Sequence, residues 1–289
     1  MTRPLQRLPQ RLTLTRRALP AALLGCAAAA RAQLPAGDDP EASPRWQAVR
    51  KALFGSRPID STATVPLSLT APRRADDPAF VPMALRSTLA PGTTQSVQRL
   101  TLLIDNNPSP VAATVELPPD GALPDIETRT RVDEYTFVRA IAETRDGRLL
   151  MATRFVKASG GCSAPAGGDE AALQAAMGRM LWRADPAEVS ASLAGGTPLT
   201  VQWMVHHPNH SGLAMNQATR QFTPAQFVRS VRLWQGERLL LSAEVDFALS
   251  ENPTLRFRFV PRGTGDLRAE AIDTFERRFS GSIALKDLR

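Results

Sequence analysis

Apolar and polar positions alternate with a period of two through most of the chain beyond residue 60. That spacing puts one face of a β-strand in a core and the other in water. TVPLSL (64–69) sets Val65, Leu67 and Leu69 against polar or turn residues, and RLTLLID (99–105) stops at the turn cluster Asn106-Asn107-Pro108-Ser109-Pro110. VAATVEL, IETRTRV and YTFVRAIAET continue the series. The dipeptide Asp146-Gly147 then leads into RLLMATRFV, a strong hairpin signal. After Gly195-Gly196 the pattern resumes. TVQWMV alternates Val201, Trp203 and Val205, while TLRFRFV places Arg256 and Arg258 between Leu255, Phe257 and Phe259, as in a sheet with one wet face. Two stretches follow a helical period instead. PRWQAVRKALF (44–54) sets Trp46, Val49, Leu53 and Phe54 on a helix closed by Gly55, and DEAALQAAMGRMLW (169–182) aligns Leu173, Met177, Met180 and Leu181.

Short strands at regular spacing, twice over, predict an all-β fold. It consists of two immunoglobulin-like antiparallel β-sandwiches joined by a glycine-rich, cysteine-bearing arm and a short helix. The expected organisation is a leader over 1–32, a linker with a short helix over 33–58, and a first sandwich over 59–168 whose arm is 158–168. A helical linker over 169–196 and a second sandwich over 197–289 complete it. A length of 289 residues suits two such domains.

The N-terminus changes how the charge is read. Residues 1–32 hold six arginines and no acidic residue, followed after Arg17 by the short apolar run ALPAALLGCAAAA and the small-residue site Ala30-Arg31-Ala32. These are the parts of an export signal cleaved after Ala32, and Arg16-Arg17 fits the twin-arginine type. A general secretory signal and an uncleaved basic tail are the other readings. Leu23-Leu24-Gly25-Cys26 resembles a lipoprotein box and offers a rival boundary, anchoring the chain at Cys26. The formal charge of the whole chain is +7; without these six arginines, 29 basic residues face 28 acidic ones. The argument for a nucleic-acid partner goes with them. No later segment is apolar and long enough to predict a transmembrane span. The expected location is the periplasm.

Two cysteines, Cys26 and Cys162, are too few for a disulfide scaffold or a multi-cysteine metal cluster. Export would leave Cys162 alone, a free thiol in an oxidising compartment. Gly160 and Gly161 precede it, and Ser163-Ala164-Pro165-Ala166-Gly167-Gly168 follow. Such a setting predicts a mobile, solvated arm at a strand end, since a core cysteine usually lies within an apolar periodic run. No His, Asp or Glu lies within six residues of it, so local sequence builds no catalytic dyad. An incidental loop thiol is the plainer reading. The three histidines sit together in His206-His207-Pro208-Asn209-His210, where Pro208 spoils helical presentation and no carboxylate or cysteine is close in sequence. A solvated turn at an interface is expected there rather than a metal site. Asp38-Asp39 and Asp76-Asp77 read as solvated turns. GxSxG, P-loop, dinucleotide and CxxC motifs are absent from the sequence.

Several stretches are familiar. ADDPAFVPMAL (75–85), LLIDNNPSPVAATVEL (102–117), ETRTRV (127–132) and DGRLLMATRFVKASGGC (146–162) resemble the sulfur-oxidation carrier subunit SoxY. PLTVQWMVHHPNHSGL (198–213), FTPAQFVRSVRLWQGERLL (222–240) and ENPTLRFRF (251–259) resemble its partner SoxZ. Together they are similar to single-chain SoxYZ-like carriers of the quinoprotein dehydrogenase-associated type. The resemblance implies paired immunoglobulin-like sandwiches and a non-catalytic carrier. Cys162, on the arm formed by Gly160, Gly161 and Ser163, would hold sulfur intermediates covalently while successive enzymes act on them. It implies no cofactor beyond that adduct. The implied partners are periplasmic sulfur-oxidation or redox enzymes such as c-type cytochromes, acting in thiosulfate oxidation, and a quinoprotein alcohol dehydrogenase system. The family's Gly-Gly-Cys-Gly-Gly tail is here Gly160-Gly161-Cys162-Ser163-Ala164-Pro165 and lies inside the chain, so an arm tethered at both ends should reach less far than a free tail. Two readings compete with the carrier: an interaction module whose cysteine forms an intermolecular disulfide, and a thiol enzyme borrowing a base from the distant histidines.

Overall fold

The computed structural model describes residues 39–167, 170–215 and 220–289. The leader, Cys26, Asp38 and Gly168 lie outside them.

Helix α1 (Pro44–Phe54) forms where expected. Ser43 Oγ accepts the Trp46 N–H at 3.3 Å, Pro44 occupies the first turn, and Gly55 at φ +60° closes the end. Trp46 and Phe54 are buried and Val49 packs beside them, whereas Leu53 faces outward. Eight strands follow: β1 (Ile59–Asp60), β2 (Leu67–Thr70), β3 (Val81–Ser87), β4 (Val97–Ile104), β5 (Val111–Glu116), β6 (Asp125–Thr130), β7 (Thr136–Thr144) and β8 (Leu149–Val156). The Asp146-Gly147 hairpin joins the last two, with Gly147 at φ +87°. Beyond the arm come α2 (Glu170–Ala176), β9 (Met180–Arg183), α3 (Pro186–Gly195), β10 (Leu199–Val205), β11 (Val228–Gln235), β12 (Arg238–Val245), β13 (Thr254–Phe259), β14 (Leu267–Asp273) and β15 (Arg278–Ile283).

The helix expected over 169–182 is only half helix. Gly178 adopts φ +82° and donates its N–H to His206 O at 2.8 Å, which turns the chain away. Met180 and Leu181 therefore belong to β9, paired with β10. An apolar pair after a helix-rich run fits either element, and the glycine decides between them.

The fold is all-β, with two sheets face to face. The larger has the order β1-β8-β7-β4-β5-β12-β11-β14-β15 and the smaller β2-β3-β6-β13-β10-β9. Among the strand pairs of the described residues, only β1–β8 is parallel. Each half of the chain contributes strands to both sheets and so forms its own sandwich. The halves then join edge to edge. In the larger sheet β5 pairs with β12 over four residue pairs, Glu116↔Ser242 to Ala113↔Val245; in the smaller, β6 meets β13 at Glu127↔Arg256 and Ile126↔Phe257. One apolar core, from Leu67 and Leu100 to Trp203, Phe257 and Leu267, runs through both halves. Each strand edge buried at the seam thus finds its hydrogen bonds in the other half.

A second, smaller core lies on the outer face of the larger sheet, where α1 covers Leu103, Ile141, Leu149 and Met151. Strand β7, covered on both faces, is buried almost throughout. Arg139 on this strand is fully buried, stacked 4.2 Å from the Trp46 ring and bonded through Nε and Nη2 to Asp105 at 2.9 and 2.8 Å. Pro40 O, and Glu41 Oε1 at 3.3 Å, take its remaining donors. Burial raises the Asp105 carboxyl above its ordinary value, against the pull of Arg139. Such a pair holds α1 in register more than it adds stability.

Candidate functional site

Strand β8 ends at Val156, and the next residue, Lys157, bonds Arg73 O through its N–H and the Ala75 N–H through its C=O, at 2.9 and 3.0 Å. The arm beyond does not reach into solvent as its composition suggested. Cys162 is fully buried. The Gly160 N–H donates to Asp133 O at 2.8 Å, the Gly161 N–H to Val132 O at 3.1 Å, and the Cys162 N–H to Asp133 Oδ1 at 3.2 Å. From the other half of the molecule, Ser211 Oγ donates to Cys162 O at 2.5 Å. The arm is therefore laid across the seam, with its backbone bonded to both sides.

The glycines serve close packing here. A Cβ on Gly161 would lie 2.1 Å from Pro78 O and 2.6 Å from Val132 O, so only glycine fits. Gly160 adopts φ +80°, and the exposed Ser163 caps the turn by donating to its carbonyl at 3.1 Å. Glycine runs signal freedom in an isolated chain, but the same lack of side chain permits backbone-to-backbone docking. Only the fold decides which applies.

Cys162 belongs to neither apolar core. Polar groups of both halves bond the arm's backbone: Asp133 and Arg131 from the first, Ser211 from the second. Arg131 is buried and donates to Ala164 O of the arm and to Asn209 O, both at 3.2 Å. Further along, the Gly167 N–H bonds Glu251 Oε2 at 2.6 Å. Burial pushes the Cys162 thiol up to about 12; Asp133 adds to the shift and Arg131 opposes it. The docked sulfur is thus a protonated thiol at neutral pH and a poor nucleophile.

The histidine segment is buried as well, not a solvated turn. His207, Asn209, His210 and Ser211 are all shielded. Asn209, at φ +51°, causes this: its Nδ2 donates to Leu249 O and its Oδ1 accepts the Val228 N–H, both at 2.9 Å, pulling the loop inward. His207 Nδ1 accepts the Asn209 N–H at 3.0 Å, and its Nε2 lies 3.5 Å from Asp273 Oδ2. Burial lowers the His207 imidazole to about 4, so it is neutral. Burial raises Asp273, but hydrogen bonds from Arg277 and the Phe275 N–H outweigh it and leave the carboxyl below its ordinary value. Through Ser211 this loop meets the arm, which is the interface role expected of it. Among the described residues no group of three or more His, Cys, Asp or Glu is placed to hold a metal ion. Asp39 and Asp77 accept N–H bonds from residues two further on, as turn residues do.

Local sequence points to Cys162, Gly160, Gly161 and Ser163 but gives no sign of Arg131, Asp133, Asn209 or Ser211, which come to the arm from far along the chain. Family models match both halves. One described as "Sulfur oxidation protein SoxY" covers residues 50–162, ending on the arm cysteine, and one described as "Sulphur oxidation protein SoxZ" covers 189–284. Fold and sequence together define a sulfur-oxidation carrier protein. The chain is a SoxY–SoxZ fusion. No curated protein sequence matches it. Similar solved structures include superoxide reductase (neelaredoxin) from Ignicoccus hospitalis, at 17% identity and TM-score 0.29 over 32% of this chain and 78% of that one. A β-glycosidase from Bacteroides vulgatus has 6% identity and TM-score 0.23 over 75% and 24%. A tetra-tandem repeat from the extending region of a large adhesion protein has 13% identity and TM-score 0.23 over 75% and 48%. Likenesses this slight carry no argument.

Proposed function

We propose that this chain is a periplasmic, non-catalytic covalent carrier. It holds sulfur-containing intermediates on Cys162 and presents them to sulfur-oxidation or redox enzymes, in a system that includes c-type cytochromes and a quinoprotein alcohol dehydrogenase. The observation that carries this reading is the placement of the one cysteine of the described residues on a glycine-built arm docked across the SoxY–SoxZ seam. Past Ala158, which packs in the larger core, the arm is held mainly by hydrogen bonds, and a segment so held has less to lose on release than one rooted in packing. Released into water, the thiol returns to an ordinary value near 8.5 and becomes competent to react. Loading from thiosulfate joins the Cys162 thiolate sulfur to the outer sulfur of thiosulfate. The thiol proton goes to solvent and two electrons pass to a c-type cytochrome acceptor. Hydrolysis of the terminal sulfonate releases sulfate and leaves a Cys162 persulfide. Oxidation of that outer sulfur to a sulfonate with water, its six electrons again passing to the cytochrome acceptor, and a second hydrolysis release sulfate and return the free thiol. No cofactor other than this adduct is called for.

Intact mass spectrometry of the protein isolated from its own cells tests the proposal. The expected result is a sulfur-containing adduct on Cys162, absent from a Cys162→Ser variant that folds as the parent does. Protein that never carries such an adduct, even after exposure to thiosulfate with an oxidising cytochrome, would overturn it. A quantitative disulfide-linked dimer on a non-reducing gel would do the same and favour the interaction-module reading.

A further inference from the structure

The outer face of the six-stranded sheet carries a groove of about 740 Å³, lined by no residue of the arm and with no role in the carrier reading. It opens where the seam is thinnest. β6 and β13 pair at only two positions; beyond them Thr128 Oγ1 donates to Thr254 O at 2.8 Å and Arg129 Nη2 to Thr254 Oγ1 at 3.3 Å, and the backbone rejoins the second half where Arg129 O accepts the Ser250 N–H at 3.0 Å. Both halves build the groove: Arg86 and Arg129 come from the first, Arg183 and Arg256 from the second. All four side chains point outward by strand alternation and are exposed. A smaller hollow continues it past Leu181 and Met204.

Charge here is out of balance. Arg86 pairs with Asp125 and Glu127, Arg256 shares Glu127, and Arg258 lies 3.6 Å from Asp125. Two carboxylates thus serve three guanidinium groups. Arg129 and Arg183 have no carboxylate in ion-pair contact among the described residues. Five arginines against two acids leave an excess of three positive charges on one sheet face, set around an apolar floor that includes Pro72, Pro82 and Ala84. Planar guanidinium groups over apolar ground form two-point bonds with carboxylates, and arginine is enriched where proteins meet.

We propose that this groove is a docking surface for a carboxylate-bearing segment of a partner protein, with Arg129 and Arg183 as its main contacts. Its width, across strands of both halves, suits an extended acidic segment better than a single small anion. Arg129 and Arg183 come from opposite sides of the seam, so the surface exists only while the two halves are joined. Docking there would bring a partner to the carrier without occupying the arm. The proposal does not depend on what Cys162 carries.

Isothermal titration of the full chain with a short glutamate-rich peptide, at fixed ionic strength, tests it. Binding is expected, and the Arg129→Ala/Arg183→Ala double variant should weaken it by roughly tenfold or more. The dependence of affinity on salt should become shallower. The paired Arg→Lys variant should retain part of the affinity, Arg154→Ala in the other sheet should bind as the parent does, and so should Cys162→Ser. Absence of binding by the parent, or equal binding by the double variant, overturns the proposal. So does displacement of the peptide by inorganic sulfate at the same ionic strength, which would make the groove a small-oxyanion pocket.

Discussion

The Trp46 corner and the Cys162 arm are both buried, and the contrast between them shows two uses of burial. At the corner, an aromatic ring, a fully enclosed guanidinium and the apolar residues of the smaller core interlock. Every arginine donor group there meets an acceptor or a ring, so nothing is gained by opening. At the arm, a cysteine with no exposed surface lies outside both cores, and the backbone that carries it is bonded to carbonyls, a carboxylate, a hydroxyl and a guanidinium. Each of these could be hydrated instead at modest cost. The first region is rooted by packing; the second is latched by hydrogen bonds.

The largest expected effect is at the corner. Arg139→Ala leaves Asp105 buried without its partner, which should cost about 3–5 kcal/mol in chemical denaturation. A loss below about 1 kcal/mol would mean that α1 is as easily detached as the arm. Next comes Gly161→Ala, whose Cβ would meet two backbone carbonyls in the docked state. Overpacking of this kind should favour the released arm and raise the alkylation rate of Cys162 by about ten- to a hundredfold, with global stability little changed. If the rate stays at the parent's value, the arm is not held as described. Removing one latch, by Ser211→Ala, should raise that rate by about two- to tenfold, as expected for a single hydrogen bond.

The smallest effect is of pH. Burial raises Cys162 to about 12, so docking favours the protonated thiol. Its contribution is whole below the released value near 8.5 and fades as pH climbs from there towards 12. Hydrogen exchange at the arm should therefore quicken over this range beyond the ordinary base-catalysed rise, while the Trp46 corner should show the ordinary rise alone. Equal behaviour of the two regions would erase the distinction.

How much of this can be read from the sequence follows the same divide. Alternation marks the strands because each makes its own case locally: Leu255, Phe257 and Phe259 turn inward between arginines that turn out. Helix α1 carries its own start and stop in Ser43 and Gly55. The run 169–182 departs from its helical pattern past Ala176, because the pairing of Met180–Arg183 with β10 depends on another segment. The arm shows the limit most clearly. Cys162 stands out by its glycines, but its burial depends on Asp133, Ser211 and Arg131, none of them a neighbour in sequence. A segment without side chains of its own is described by whatever surrounds it.

The internal position of the arm also sets a length. Cys162 lies five residues along the chain from Lys157, which is bonded to the strand-flanking residues Arg73 and Ala75. Fully extended, that stretch spans roughly 17 Å. An enzyme that services the cysteine while β8 stays paired must therefore bring its reactive centre within that radius of Lys157. The molecule carries a ruler, and a catalytic tunnel deeper than this would be out of its range.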